Sequence, residues 1–466
     1  MSLKFYNTMS RQLEEFRTLE EGHVRMYTCG PTVYNYAHIG NFRAYIFEDL
    51  LRRYLKYKGF QLTQVMNLTD VDDKTIRGAN EKKVLLSQYT KTYIDAFFDD
   101  LSTLNIERAE YYPAATDHIP DMIKLIHRLF EKGVAYQSED GSVYFSIAKY
   151  NHYGRLAHLD LSGLRAGARV VQDEYDKENL ADFALWKAWD EKDGDVYWDS
   201  PWGRGRPGWH IECSAMSMRY LGESFDIHTG GVDNIFPHHE DEIAQSEAAT
   251  GKPFAHTWLH CAHLVVDGKK MSKSLGNFYT LRDVLARGFS GREIRYELMA
   301  THYRQALNFT FGALDAARAA LSRLDEFYRR VQGAATAEVP ETDLPAWAKA
   351  QREKFGQALD EDLNISEALA SVFDLVTAGN RALNEKAVPA GEAWAVLALL
   401  EEWDQVLGFI RPPDETADAE TVTMMDLRQQ ARKNKNWAEA DRLRDELAAR
   451  GWVVQDTPQG PKLKRK

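Results

Sequence analysis

His23-Val24-Arg25-Met26-Tyr27-Thr28-Cys29, followed after a short loop by His38-Ile39-Gly40-Asn41, decides how this 466-residue chain folds. Val24, Met26 and Thr28 alternate with Arg25 and Tyr27, so the first run reads as a strand. From about Phe42 to Lys58, the apolar positions Ile46, Leu50, Tyr54 and Tyr57 recur at helical spacing, and Gly59 is placed to stop a helix. Gln61 to Leu68 then reads as a second strand. Strand, helix and strand with short joints predict a βαβ unit whose two strands are parallel. Ligands of such sheets bind beyond the carboxyl ends of the strands, the edge on which Cys29, His38 and Thr69 fall.

Outward from this unit the pattern changes. Residues 113–200 carry many charges and short, mixed signals, and read as an insertion. Sheet-like patterning returns around Phe225 to Gly231 and His256 to Val266. The expected division is a split sheet domain (1–112 and 201–266), the insertion (113–200), a lysine-bearing loop region (267–310), an Ala-, Leu- and Glu-rich helical domain (311–412) and a small last domain (422–466). Linkers are expected at Gly333 to Pro345 and Pro412 to Thr421. The last domain reads as a helical hairpin, Met425 to Lys435 and Ala438 to Arg450, then a short strand, Trp452 to Val454.

The chain has 70 acidic and 58 basic residues, a net charge of −12. That balance does not favour nucleic acid, although a local basic groove can sit on an acidic protein. The end, Lys462-Leu463-Lys464-Arg465-Lys466, reads first as a solvated basic tail, with contact to phosphates as the lesser alternative. No apolar run reaches the roughly 18 residues of a membrane span, and the polar start lacks a signal-peptide core, so a cytoplasmic location is expected. Three cysteines, Cys29, Cys213 and Cys261, are too few and too scattered for a disulfide framework.

Three constellations bear chemistry. In His38-Ile39-Gly40-Asn41, a helix N-terminus offers N–H groups and a positive dipole to phosphate, Gly40 admits close approach, and His38 can donate as charge develops. Lys270-Met271-Ser272-Lys273-Ser274, after Asp267-Gly268, reads as a mobile loop whose ammoniums neutralise a leaving polyphosphate. Pro237-His238-His239-Glu240-Asp241-Glu242 reads as a helix start. His238 and Glu242 share one face, and His239 points about 100° away. With Cys29 and Cys213 they make a plausible zinc set, while His260-Cys261-Ala262-His263 is a rival motif in which Cys261 is expected to be packing.

The histidine and lysine signatures together resemble those of class I aminoacyl-tRNA synthetases. Met26 to Tyr34, Asn67-Leu68-Thr69-Asp70-Val71-Asp72-Asp73-Lys74, Trp209-His210-Ile211-Glu212-Cys213-Ser214-Ala215-Met216 and His238 to Glu242 narrow the resemblance to the cysteinyl-tRNA synthetase family, over nearly the whole chain. It implies an α/β, Rossmann-like catalytic domain with a connective insertion, a stem-contact region around the lysine loop, an α-helical domain and an anticodon-binding domain. It implies activation of L-cysteine by ATP with Mg2+, transfer to tRNA(Cys), and one Zn2+ on Cys29, Cys213, His238 and Glu242. It assigns catalysis to His38, Asn41, Lys270 and Lys273, ATP to His38, Gly40, Asn41, Gly230, Gly231, Asp233 and Lys273, and the amino acid to Gly30, Thr69, Trp209 and His228. Arg432, Trp437, Asp441 and Asp456 match anticodon contacts, Trp437 by stacking. A monomer is implied. Asn41 and Thr229 depart from the commoner histidine and glycine; Thr229 therefore requires an ordinary, negative φ. A cysteine ligase acting on an amino-sugar shares such a core but lacks the last domain.

Overall fold

The computed structural model describes residues 2–159, 168–169, 181–335, 343–413, 419–450, 452–457 and 460–465. Four parallel strands form the central sheet, in the order Ala255–Cys261, Phe225–Gly231, His23–Thr28, Gln61–Met66. Thr28 is flanked by Thr229 on one side and Met66 on the other. The first two strands run outward one way from His23–Thr28, and the later two run outward the other way. The connections therefore diverge between His23–Thr28 and Phe225–Gly231, and a crevice opens at their carboxyl ends. Cys29 and Gly230 sit at its mouth.

The helix after the first strand spans Ile39–Tyr57, starting earlier than the apolar periodicity suggests. His38 caps it: its ring accepts from the Asn41 N–H, and the Asn41 side chain accepts from the His38 N–H, both at 3.1 Å. Ile46, Leu50 and Tyr54 are buried as periodicity requires, but so are Arg43, Glu48, Asp49, Arg52 and Arg53. A helix buried on nearly every side must pair its charges. Asp49 accepts from Arg53 at 2.8 Å and from the wholly buried Arg295 at 2.5 Å, and it takes the Glu107 N–H.

His256 to Val266 does not continue as one strand. The central strand stops at Cys261, and Leu264–Val266 joins a second, three-stranded sheet with Lys269–Lys270 and Leu307–Phe309. The divergence is fixed where the Ala262 N–H bonds to the Tyr303 carbonyl. Within the inserted region, Ala135–Gln137, Val143–Phe145, Ala168–Arg169 and Ala181–Ala188 form a mixed sheet, which Gly205–Pro207 joins immediately before the helix Trp209–Leu221. A four-helix assembly follows: Phe311–Ala334, Ala346–Asp360, Ile365–Asn384 and Ala390–Leu407.

The chain forms two compact units, residues 1–410 and 411–466. In the second, helices Ala419–Lys433 and Trp437–Ala449 form the expected hairpin. The C-terminal residues are not a free tail. Gly460–Arg465 pairs antiparallel with Trp452–Thr457, and Leu463 packs near Met424, Leu443, Leu447 and Trp452. Lys466 lies outside the described residues.

Candidate active site and metal centre

Cys29 leaves the end of the first strand, and its N–H bonds to the Thr229 carbonyl. Cys213 lies in the first turns of Trp209–Leu221, and His238 and Glu242 lie at the start of the helix that continues as Glu240–Thr250. One donor atom from each of Cys29, Cys213, His238 and Glu242 falls within 4.8 Å of all the others. A second set, Cys29, His228, His239 and Glu242, meets the same limit. His239 thus turns toward the cluster despite its offset along the helix: its Nε2 is 3.2 Å from Cys29 Sγ and its Nδ1 is 2.8 Å from His260 Nε2. His260 in turn meets the Thr8 hydroxyl at 2.8 Å.

The cluster is almost closed to solvent. A hydrogen bond to Cys213, and then burial, push the Cys29 thiol up. The same bond, opposing burial, pulls Cys213 down to about 6. Of the two thiols, Cys213 is thus the more readily ionised. Burial raises Glu242, but His228 and His238 outweigh it and hold the carboxylate at about 2. Burial lowers His238, but Glu242 and Cys213 reverse that. Glu242 Oε2 is bonded by His228 Nε2 at 2.9 Å. Glu242 Oε1 is fully buried without a hydrogen bond of acceptable geometry, although His238 Nε2 stands 3.0 Å away. Two soft sulfurs, an imidazole and a carboxylate with an unsatisfied oxygen are a donor set that fits zinc.

Around it, the Trp209 ring stacks on His238 with centroids 4.2 Å apart. The Thr69 hydroxyl donates to the buried Glu212 at 3.0 Å. Gly30 presses against the neighbouring strand so closely that an added Cβ would sit 1.8 Å from the Asn67 carbonyl oxygen. The Cβ positions of Gly230 and Gly231 are instead taken up by His239 and by Asp233. Asp233 is exposed, and its charge opposes the effect of burial on His38, whose pKa is lowered on balance. His38 is thus neutral; with Nδ1 accepting from Asn41, its proton lies on Nε2, ready to donate.

The two signatures meet. The Ile39 N–H bonds to the Tyr279 carbonyl, and His38 bridges to Thr280. A Cβ on Gly40 would come within 3.3 Å of Met271. Phe278 faces the His38 ring at 5.2 Å and lies 5.3 Å from Lys273 Nζ. Lys270 and Lys273 are both exposed. Cys261 is buried against the Arg43 carbonyl, which suits a packing role.

In the second unit, Trp437 is 59% exposed, so it does not pack into the hairpin core. Asp441 pairs with Arg444 at 2.9 Å. Arg432 lies near the end of the first hairpin helix, and Asp456 lies in the strand Trp452–Thr457.

Sequence reasoning passed over Glu48, Glu240 and Asp241. Glu240 accepts four backbone N–H groups, from Gly154 to Ala157, which ties the insertion to the ligand helix. Glu48, whose charge acts on Cys29, accepts from the Thr229 hydroxyl at 2.8 Å, while its other oxygen is buried with no hydrogen-bond partner among the described residues. Thr229 has an ordinary φ, as its side chain requires. Burial raises Glu48 from 4.5 to about 8, against the pull of Thr229. The folded state therefore keeps a proton that the unfolded chain has lost. Glu48's contribution to stability is complete below about pH 4.5 and is lost as pH rises to about 8, at up to about 1.4 kcal/mol per unit. Glu48→Gln should flatten this fall. Thermal midpoints compared at pH 5 and pH 8 should show the variant gaining on the parent at the higher pH, and an unchanged difference would contradict it.

A model of the catalytic domain of class I (C) tRNA synthetases matches residues 15–319, a DALR-domain model matches 354–411, and a model of the cysteinyl-tRNA ligase anticodon binding domain matches 414–461. The Cysteine–tRNA ligase of Protochlamydia amoebophila is 53% identical over 468 residues, covering 99% of this chain and 98% of the relative. That of Chlamydia pneumoniae is also 53% identical, with the same coverage. The chain belongs to the class I cysteine–tRNA ligase family. Among solved structures, Mycobacterium tuberculosis methionyl-tRNA synthetase with methionyl-adenylate aligns at a TM-score of 0.59 and 14% identity, covering 87% of this chain and 89% of the other. An Agrobacterium radiobacter LeuRS in a tRNA complex aligns at 0.61 and 13%, covering 85% of each. At such identities the likeness is one of fold alone, and that fold is the mixed α/β architecture with a parallel sheet.

Proposed function

We propose that this chain activates L-cysteine with ATP, giving cysteinyl-adenylate and pyrophosphate, and then transfers the cysteinyl group to the 3′ end of tRNA(Cys). The observation that carries this reading is two sulfurs, His238 and Glu242 converging in a crevice whose rim holds both phosphate-handling signatures. Cys29, Cys213, His238 and Glu242 would hold one zinc. A zinc bound there supplies a centre that prefers a thiolate to a neutral hydroxyl, the difference between cysteine and serine. Shape alone separates such near-isosteres by only roughly 1–3 kcal/mol. The alternative quartet has one sulfur. Its imidazoles are better used orienting ligands, His239 on Cys29 and His228 on Glu242.

Trp209, Thr69, Gly30 and His228 line the amino-acid side of the reading. His38 donates through Nε2 to a phosphate oxygen, with Asn41 holding its ring through the capping box. Lys270 and Lys273 neutralise the departing pyrophosphate, and Gly40, Gly230, Gly231 and Asp233 border the nucleotide. ATP would enter with Mg2+. Arg432, Trp437, Asp441 and Asp456 would read the anticodon, for which an exposed Trp437 is suited. The domain division expected above, a monomeric state and a cytoplasmic location complete the reading. Among the described residues no helix is long and apolar enough to cross a membrane. The test is charging of total tRNA with labelled cysteine and ATP, with serine run in parallel. Cysteine-specific, ATP-dependent charging is expected; adenylate formation without charging would move the reading to a small-molecule cysteine ligase.

A further inference from the structure

Between Cys29 and His38, the segment from Pro31 to Ala37 presents two tyrosine rings to solvent, Tyr34 at 37% and Tyr36 at 39% exposure. Both ends of the segment are fixed to the site. The Val33 N–H bonds to the Thr69 carbonyl at 3.0 Å, and the Ile39 N–H bonds to Tyr279 at 3.0 Å. Beneath it, the Tyr89 hydroxyl donates to the Tyr34 carbonyl at 2.8 Å. The rings are thus held in place and still partly open to solvent, an arrangement the adenylate chemistry does not call for.

Cations accompany each ring. Lys74 Nζ lies 5.3 Å from the Tyr34 ring centre, and the Arg282 guanidinium lies 4.5 Å from that of Tyr36. Tyr36 meets Tyr93 edge to face at 5.4 Å, and Lys82 Nζ lies 5.6 Å from Tyr93. Arg282 is anchored by Asp100 at 2.7 and 2.8 Å, so its position over Tyr36 is set. On a chain with net charge −12, exposed flat rings interleaved with cations mark a surface for unpaired nucleotides, whose bases stack and whose phosphates need neutralising.

We propose that Tyr34 and Tyr36, with Lys74, Lys82 and Arg282, form the track along which the unpaired 3′ strand of tRNA stacks on its way to the adenylate. This rests on the charging activity proposed above. Delivery of a terminal ribose hydroxyl to a carbonyl held beside Cys29 requires the last unpaired nucleotides to cross the rim, and the track occupies the rim between Cys29 and His38.

The two half-reactions test it in the full-length protein. Tyr36→Ala and Lys74→Ala should leave cysteine-dependent pyrophosphate exchange within about two-fold, while single-turnover transfer to tRNA, or the KM for tRNA, worsens roughly ten-fold. Tyr36→Trp should retain transfer. Its fluorescence should be quenched by a synthetic acceptor-stem hairpin bearing an unpaired 3′ strand and not by the same hairpin made blunt. Parallel loss of both half-reactions would place the rings against ATP or in the fold and overturn the proposal, as would unchanged transfer or quenching by the blunt hairpin. Wild-type charging measured alongside keeps the claims separate. Its absence strikes the proposed activity, and the fluorescence titration still decides the track.

Discussion

Cys213→Ala is expected to strip the protein of bound zinc and to lower cysteine-dependent pyrophosphate exchange by well over about a hundred-fold. Loss of a residue that only orients a ligand already costs about 10- to 100-fold in metal affinity or activity, and Cys213 would be a ligand itself. Cys213 is 1% exposed, and its hydrogen bond with Cys29, opposing burial, pulls its thiol down to about 6. Without it, Cys29 loses the hydrogen bond that heads the causes of its raised pKa, and the site keeps one sulfur, one imidazole and a carboxylate. Zinc per chain measured by mass spectrometry, beside exchange rates and a thermal midpoint, separates metal loss from unfolding. The change removes one buried sulfur from a packed site, so the metal-free variant should still unfold cooperatively. Cys261→Ala is the control, since Cys261 faces the Arg43 carbonyl rather than the cluster; it should retain one zinc per chain. A Cys213→Ala protein that keeps its zinc and its exchange activity would falsify the assignment of the quartet and shift attention to Cys29, His228, His239 and Glu242.

How much of this was legible in the sequence follows from what periodicity can detect. The strand before Cys29, the helix after His38 and the parallel pairing with Gln61–Met66 were, because alternation, 3.6-residue spacing and short joints are local properties. The earlier start of the helix depended on a reciprocal cap between His38 and Asn41, and an asparagine there read first as a departure from pattern. The turn of the chain at Ala262 was not legible. His256 to Val266 reads as one sheet-like run, and contacts remote in sequence, the Ala262 N–H on the Tyr303 carbonyl and the Leu307 N–H on the His263 carbonyl, set where one sheet ends and another begins. Glu240, Asp241 and Glu242 illustrate the other limit. Three successive acids in a first helical turn ordinarily read as solvated groups favoured by the dipole. Here all three are buried, one holding a loop of four N–H groups, one against Tyr153, one in the cluster. Burial of charge depends on partners remote in sequence, which a single chain without aligned relatives does not reveal. The same holds for Glu48 with Thr229, joined across 181 residues.

Lys273→Ala should slow adenylate formation by about a hundred- to a thousand-fold, the range expected when a preorganised group that stabilises developing charge is removed. The side chain is exposed, and its ammonium makes no ion pair among the described residues, so no ion pair is broken by its loss. Its fixed feature is the Phe278 ring, 5.3 Å from Nζ, which also faces His38. The loop behind it is braced by its own polar groups: the Ser272 N–H bonds to Asn277 at 2.8 Å, and Asn277 donates to the Lys270 carbonyl at 3.2 Å. Removing the ammonium should therefore leave loop and cysteine site intact, with the effect confined to the rate and cysteine binding unchanged in an equilibrium titration. Lys269→Ala provides the comparison, because that lysine is also exposed and lies just outside the signature. A general electrostatic effect would lower both rates alike and would weaken steeply with salt. A local effect at the departing pyrophosphate would spare Lys269→Ala, and Lys273→Arg would keep part of the rate because the charge persists while the reach of the donor changes. Equal losses from Lys269 and Lys273 would remove the argument that this loop acts through one positioned ammonium, and the meeting of Phe278 with His38 would then be a matter of packing only.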